Sequence, residues 1–387
     1  MNCLVATVSV PLWLSGWETS TLTGSPVALL GETPRPHWLT ILVLAIASVL
    51  DYIIGDPWDW PHPVQAIGWV ISRYSHYTLQ WVAKPNIRRI AGVGLGIGAI
   101  AGTGLIAGGM IQVARSLHPG LGFTLEIILL ASCFAGRSLR DAAEDVLKPL
   151  AKGTPPSPPS QGGANDKLGD VTPPSPPSQG GANDDLEEAR QKLRLYVGRD
   201  TENLSQAEIM RAILETVSEN AVDGVMAPLF YAIVGAWIPG VGPVPLAIAY
   251  KAASTLDSMV GYRTEPYKDL GWFSAKFEDV LTWLPCRLTV MTIGLISGNL
   301  LGIWQTCEAD ATKDPSPNAG WSECAYAVAL GVQLGGSNSY GGVIKEKPLL
   351  GQPLHPIAPD KIQQALQLTR YSFLIWLAIG CIVHIAA

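Results

Sequence analysis

The sequence predicts an all-α, polytopic helical membrane protein with a cytoplasmic helical region and a disordered Pro/Ser/Gly insert. Three observations lead there. Charged residues make up 15% of the 387-residue chain, against about a quarter in an average soluble protein. Mean hydropathy is positive, +0.24. The apolar residues are also clustered: 90–113 is a run of 24 uncharged residues and 288–306 a run of 19. Each is long enough to cross a hydrocarbon core about 30 Å thick.

Taken in order, residues 1–37 carry Arg35 as their first basic residue, so a cleaved secretory signal is not expected. They are read as a poorly ordered extension, and 38–387 as one membrane-embedded domain. Residues 38–54, 121–136 (interrupted by Glu126) and 371–387 are weaker crossings. Basic residues gather at 55–89 (Arg73, Lys84, Arg88, Arg89) and again after 137, whereas 114–120 holds only Arg115. Three crossings before 137 put both basic segments on the cytoplasmic side. The proline- and glycine-broken stretch 226–250 either spans with a break or dips in and returns as two short helices.

TPPSPPSQGGAND occurs at 154–166 and again at 172–184. Such a composition cannot bury a core, so 153–185 is expected to be a disordered insert. In the glycine run 92–109, Gly102, Gly104 and Ala107 fit a dinucleotide fingerprint, but they lie inside an apolar helix, not after a strand. Gly94, Gly98 and Gly102 are read instead as a stripe for close helix packing. The six cysteines form no C-x-x-C pair, four lie in or beside apolar stretches where a free cysteine behaves as a small hydrophobe, and a net charge of −6 gives no support to nucleic acid as a partner.

Polar stretches beside the apolar runs carry the candidate chemistry. In LDYIIGDPWDWPHPVQAIG, Asp56 and His62 stand among rigid X-Pro turns. AGRSLRDAAEDV offers Arg137 and Arg140, whose planar guanidinium matches phosphate or carboxylate. In YVGRDTENLSQAEIMRAILETVSENAVDGVMAP, Arg199 and Asp200 precede a capping box at Ser205 and Glu208. Arg211, Glu215, Glu219 and Asp223 then follow at four-residue spacing, with Asn220 beside them. Like charges so spaced destabilise a helix by about 0.2–0.5 kcal/mol per pair. Against a low-dielectric surface they repel further unless a cation sits among them. Carboxylates of this kind suit Mg²⁺, so Glu215, Glu219 and Asp223 are the predicted metal ligands. Asp257 and the Glu278–Asp279 pair repeat the pattern of acids at a membrane edge, and SPNAGWSECAYAVALGVQLGGSNSYGG adds Asn318 and a turn whose amides can cradle an anion.

Four of these stretches, GDPWDWPHPVQAIG, GRD…ETVSENAVDGVMAPLFY, STLDSMVGY and SPNAGW…GVQLGGSNSYGG, resemble in the same order the signatures of the adenosylcobinamide-phosphate synthases, the CobD/CbiB proteins of cobalamin biosynthesis. The resemblance covers roughly 45–387 apart from the insert, with Ser254 where Asn is usual and Glu278 where Asp is usual. It implies a ligase of the cell membrane, its active site facing the cytoplasm, that uses ATP and Mg²⁺. The implied reaction joins a propionate of adenosylcobyric acid to (R)-1-amino-2-propanol phosphate or to the free amino alcohol. The implied partners are these substrates, the lipid bilayer and other cobalamin-pathway enzymes. On this reading Glu215, Glu219, Asp223 and Asp257 are catalytic. Arg137, Arg140, Arg199 and Arg211 face phosphate or carboxylate, and Asp56, His62, Asp200, Asn220 and Asn318 complete the binding residues. The alternative is a transporter for an anionic solute or ion, favoured by the broken segment but opposed by the charge-free 90–113 and 288–306. A non-catalytic membrane subunit is the third reading.

Overall fold

The computed structural model describes residues 36–55, 62–152 and 179–386. Asp56, nearly all of the expected N-terminal extension and most of the repeat insert lie outside the described residues.

The chain opens with α1 (His37–Ile53), an apolar helix of 17 residues. In α2 (Pro63–Trp81) the first helical residue is a proline, where a missing N–H costs nothing. The preceding His62 accepts the Val64 N–H on Nδ1 at 3.2 Å, so its side chain serves as a helix cap. Then come α3 (Pro85–Leu117), α4 (Pro119–Ala131), α5 (Gly136–Lys152) and α6 (Gln179–Leu193). Residues 179–185, expected within the disordered insert, therefore open α6, whose last turn carries Arg190 and Lys192, cations that favour the negative C-terminal end of a helix. The second half of the fold comprises α7 (Gln206–Asn220), a π-helical turn (Ala221–Met226), α8 (Ala227–Trp237), α9 (Pro243–Val260), α10 (Trp272–Ile296), α11 (Leu300–Asp310) and α12 (Ala319–Leu330). An antiparallel hairpin, β1 (Leu334–Tyr340) and β2 (Val343–Leu350), precedes α13 (Pro359–Ala386).

Among the described residues, four helical stretches are long and apolar enough to cross a membrane: Pro85–Leu117, Pro119–Ala151, Trp272–Ile296 and Pro359–Ile385. Exposed Ile97, Leu105, Ile106 and Val113 on α3 suit lipid rather than water. The protein is thus a polytopic helical membrane protein. The run 288–306 is not one crossing, however. Gly298 (φ +67) ends α10, and Asn299 starts α11 in a new direction. The apolar helix lies instead at Trp272–Ile296 and includes Glu278 and Asp279.

Residues 226–250 fold as two helices. Gly240 and Gly242 both adopt positive φ, which turns α8 back on α9. The two helices close so tightly that a methyl at Gly235 would lie 2.5 Å from the Gly242 carbonyl oxygen. His384 near the end of α13 packs against His37 (4.8 Å between ring centroids) and Trp237 (6.2 Å). The far end of α8 therefore meets the start of α1 and the end of α13.

The glycine stripe also needs correction. Nothing approaches within 4 Å of a methyl placed on Gly98 or Gly102. The tight face of α3 is the neighbouring one: a methyl on Gly92 would lie 2.0 Å from the Leu270 carbonyl oxygen, and one on Gly104 3.0 Å from that of Pro245. Gly92→Ala should therefore destabilise the protein by about 1–3 kcal/mol through overpacking, while Gly98→Ala stays within about 0.5 kcal/mol. Thermal unfolding of the two variants in detergent compares them directly.

Candidate active site

The site is built on α7. Its capping box forms as expected, with the Ser205 N–H donating to Glu208 Oε2 at 2.7 Å and the Glu208 N–H to Ser205 Oγ at 3.3 Å. Two turns on, Glu215 is 1% exposed. Its Oε1 accepts the Gly335 N–H at 3.0 Å, and its Oε2 accepts from Arg199. Arg199 also donates to Asn338 Oδ1 at 2.8 Å, and Arg211 donates to the carbonyls of Gly335 and Ser337, the latter at 2.9 Å. These residues latch the β-hairpin to α7. The hairpin turns at Gly341 and Gly342, both with positive φ as a two-residue primed turn requires. There Asp200 accepts from Ser339 Oγ at 2.6 Å and from the amides of Gly341 (2.9 Å) and Gly342 (2.8 Å). The glycine-rich turn does cradle an anion, and that anion is the carboxylate of Asp200. The serine and the two amides hold this carboxyl below its usual range.

Glu215 is consequently not available as a metal ligand: both of its oxygens are engaged. Arg199 and Arg211 are spent on the same latch.

Glu219 and Asp223 are placed differently. The π-helical turn carries Asp223, and its Gly224 carbonyl accepts the Ala135 N–H at 2.9 Å from the α4–α5 connection. Such turns inside a helix are frequent at functional sites. From Asp223 to Trp237 is 14 residues, and from Pro243 to Asp257 another 14. Two arms of about 21 Å each thus return Asp257 to the level of Asp223. Burial raises the Asp223 carboxyl well above its ordinary range, and Glu278, Glu219 and Asp257 push it further. Asp257 is pushed up to about 6, by burial first and then by Asp279 and Glu219. Glu219 is accessible to water, yet enough protein surrounds it for burial to raise its carboxyl too, against the pull of Lys347. The other cations felt here are Arg199 at Glu219, Lys251 at Asp223 and Arg263 at Asp257.

Among the described residues no group of three or more His, Cys, Asp or Glu side chains is closed up enough to hold a metal ion. The donor chemistry still fits one, because these hard carboxylate oxygens stand in a low-dielectric recess short of positive charge, and Mg²⁺ is commonly held by only one or two carboxylates with phosphates and waters.

Asn318 brackets α10 and α12: its Nδ2 donates to the Asp279 carbonyl at 2.8 Å and its Oδ1 accepts from Arg287 at 3.0 Å. Asn220 is exposed and donates to the Thr216 carbonyl. Arg137 and Arg140 sit elsewhere, in the wall of a cavity between α1, α5 and α13, where Arg137 pairs with Asp141 at 2.8 Å. Sequence reasoning missed Glu323 and Lys347. Glu323, fully buried, accepts from Lys347 Nζ at 2.9 Å, and burial pushes its carboxyl up to about 8. A signal existed, since Glu323 is the one charged residue in AGWSECAYAVAL.

A family model described as CobD/Cbib protein matches residues 44–157 and 178–369. The chain belongs to the CobD/CbiB family. The gap in the match, 158–177, falls in the repeat insert. Cobalamin biosynthesis protein CobD of Synechocystis is 48% identical over 348 residues, 90% of this chain and 93% of that protein. Cobalamin biosynthesis protein CbiB of Salmonella typhimurium is 38% identical, covering 85% and 93%, and CobD of Citrobacter koseri is 34% identical, covering 90% and 100%. No solved structure matches.

In this CobD/CbiB chain, Glu215→Ala should cost about 3–5 kcal/mol, because it leaves Arg199 buried and unpaired; chemical denaturation in detergent measures it. Asp200→Asn should leave the fold intact but speed hydrogen–deuterium exchange at Gly341 and Gly342.

Proposed function

We propose that this protein is an adenosylcobinamide-phosphate synthase, a carboxylate–amine ligase of the cell membrane working from its cytoplasmic side. The reading is supported by membership of the CobD/CbiB family and by the names of its relatives. The observation that carries it is the gathering of Glu219, Asp223 and Asp257, raised by burial and mutual repulsion, at the base of the α8–α9 hairpin.

An ionised propionate is a poor electrophile, so amide formation requires activation. In the proposed reaction the γ-phosphoryl group of ATP passes to a propionate oxygen of adenosylcobyric acid and ADP leaves. The amine of aminopropanol phosphate attacks the acyl carbon, phosphate departs, and the nitrogen gives up its proton. Glu219 is cast as the proton acceptor, since it is the member of the cluster open to water. Lys251 and Lys347, whose charges already reach Asp223 and Glu219, would orient the phosphates. Asp223 and Asp257 would hold Mg²⁺, which when bound would neutralise charge on the transferring phosphoryl group. Low polarity around the site strengthens each of these interactions.

Purified protein supplied with ATP, Mg²⁺, adenosylcobyric acid and aminopropanol phosphate should release ADP and form the amide, both read by mass spectrometry. Glu219→Gln and Asp223→Asn should each lower kcat/KM by about 100-fold or more while retaining wild-type membrane insertion. Full activity in both variants would remove the cluster from the reaction. Uptake of an anion by sealed vesicles with no amide formed would favour a transporter.

A further inference from the structure

A cavity of about 520 Å³ opens between the C-terminal half of α1, the start of α5 and the first half of α13. All three elements change polarity at this level. α1 is uncharged from Trp38 to Leu50 and ends on Asp51 and Tyr52; Arg137 and Arg140 follow the apolar α4; and α13 is polar up to Arg370 and free of Asp, Glu, Lys and Arg from Tyr371 onward. The cavity thus straddles the boundary between a polar and an apolar layer.

Its polar end is cationic. Arg370 lies over the Tyr52 ring at 4.5 Å and Arg140 over the same ring at 5.5 Å, with Arg137 alongside. Asp51 and Glu144 also line it, and Asp141 pairs with Arg137, but Arg140 Nε is buried without a hydrogen-bond partner, 3.6 Å from Glu144. Arg370 has the tyrosine face as its contact. The other end is apolar and open sideways, with Phe373 in the wall and Val49 and Leu374 55% and 47% exposed.

We propose that this cavity binds an anionic phospholipid, its phosphate on Arg370 and Arg140 and the start of its acyl chains along Val49, Phe373 and Leu374. Guanidinium matches phosphate by paired hydrogen bonds. Basic pockets between membrane helices take anionic head groups. The apolar wall continuing from the arginines distinguishes this ligand from a free phosphate, which would leave that wall exposed. Val225 of the π-helical turn also lines the cavity, but Glu219, Asp223 and Asp257 do not, and the proposal does not depend on the ligase reading.

Native mass spectrometry of the full chain in nonionic detergent tests it, with phosphatidylglycerol or phosphatidylcholine added in equal amounts. Wild type should retain phosphatidylglycerol about tenfold better than phosphatidylcholine, a difference of about 1.4 kcal/mol. Arg370→Gln, which removes the charge, and Leu374→Trp, which fills the apolar wall, should each lose that preference. Arg73→Gln should keep it, because Arg73 covers the Tyr77 ring at 4.8 Å outside any such cavity. Equal retention of the two lipids, or an unchanged preference in both cavity variants, would overturn the proposal. So would complete displacement by millimolar inorganic phosphate, which would mark a site for a water-soluble phosphate.

Discussion

The buried contact between Arg199 and Glu215 is the fixed point on which the rest of the site depends. An isolated carboxylate at 1% exposure would be too costly to remain ionised. Here two guanidiniums and a backbone amide converge on it from three parts of the chain. Removing one partner of such a pair is far more harmful than never having built it. The contact thus fixes where the β-hairpin sits on α7. Because β2 belongs to that hairpin, the same contact carries Lys347 to Glu323 and into range of Glu219.

Glu215 and Glu219 are four residues apart on one helix and have opposite fates. The first is neutralised by fixed partners and acts as structure. The second feels Lys347 and Arg199 but holds neither as a fixed partner, and it is open to water. Carboxylates whose surroundings leave them short of positive charge are the ones suited to bind cations or move protons. The spacing that suggested three equivalent ligands therefore hides a division of labour, and the π-helical turn after Asn220 separates Asp223 further from the regular helical stripe.

What could be read from the sequence follows from how local the deciding physics is. The uncharged run 90–113 announced a membrane helix because length and polarity alone settle that question, and the Ser205–Glu208 cap needed only three residues. The run 288–306 misled because hydropathy does not register a positive φ at Gly298, and a window that shuns charge passes over a helix containing Lys276, Glu278 and Asp279. The hairpin was visible only as a glycine/asparagine-rich turn, since LGGS at the start of β1 and KEK within β2 lack the branched and aromatic residues that mark strands. The latch joins Glu215 to Gly335 across 120 positions, and no periodicity reports a contact of that range. Arg199 and Arg211 were expected to face a substrate's phosphate or carboxylate; in the fold both stand against Glu215 of the same chain.

The α8–α9 hairpin explains why acidic residues border so apolar a segment. Asp223 stands 14 residues before the end of α8 and Asp257 14 residues after the start of α9, so the turn brings the two acids to one level, where Asp257 acts on the Asp223 carboxyl. Close approach at Gly235 and Gly242 holds the two arms together at the turn. Glu278 then arrives from α10, tied by Tyr250 and Thr282 to the same helical layer. A fold selected for stability alone would replace one of these acids with an amide at no cost in shape. Their presence beside a fully compensated Glu215 is the departure from local consistency on which the proposed cation site rests.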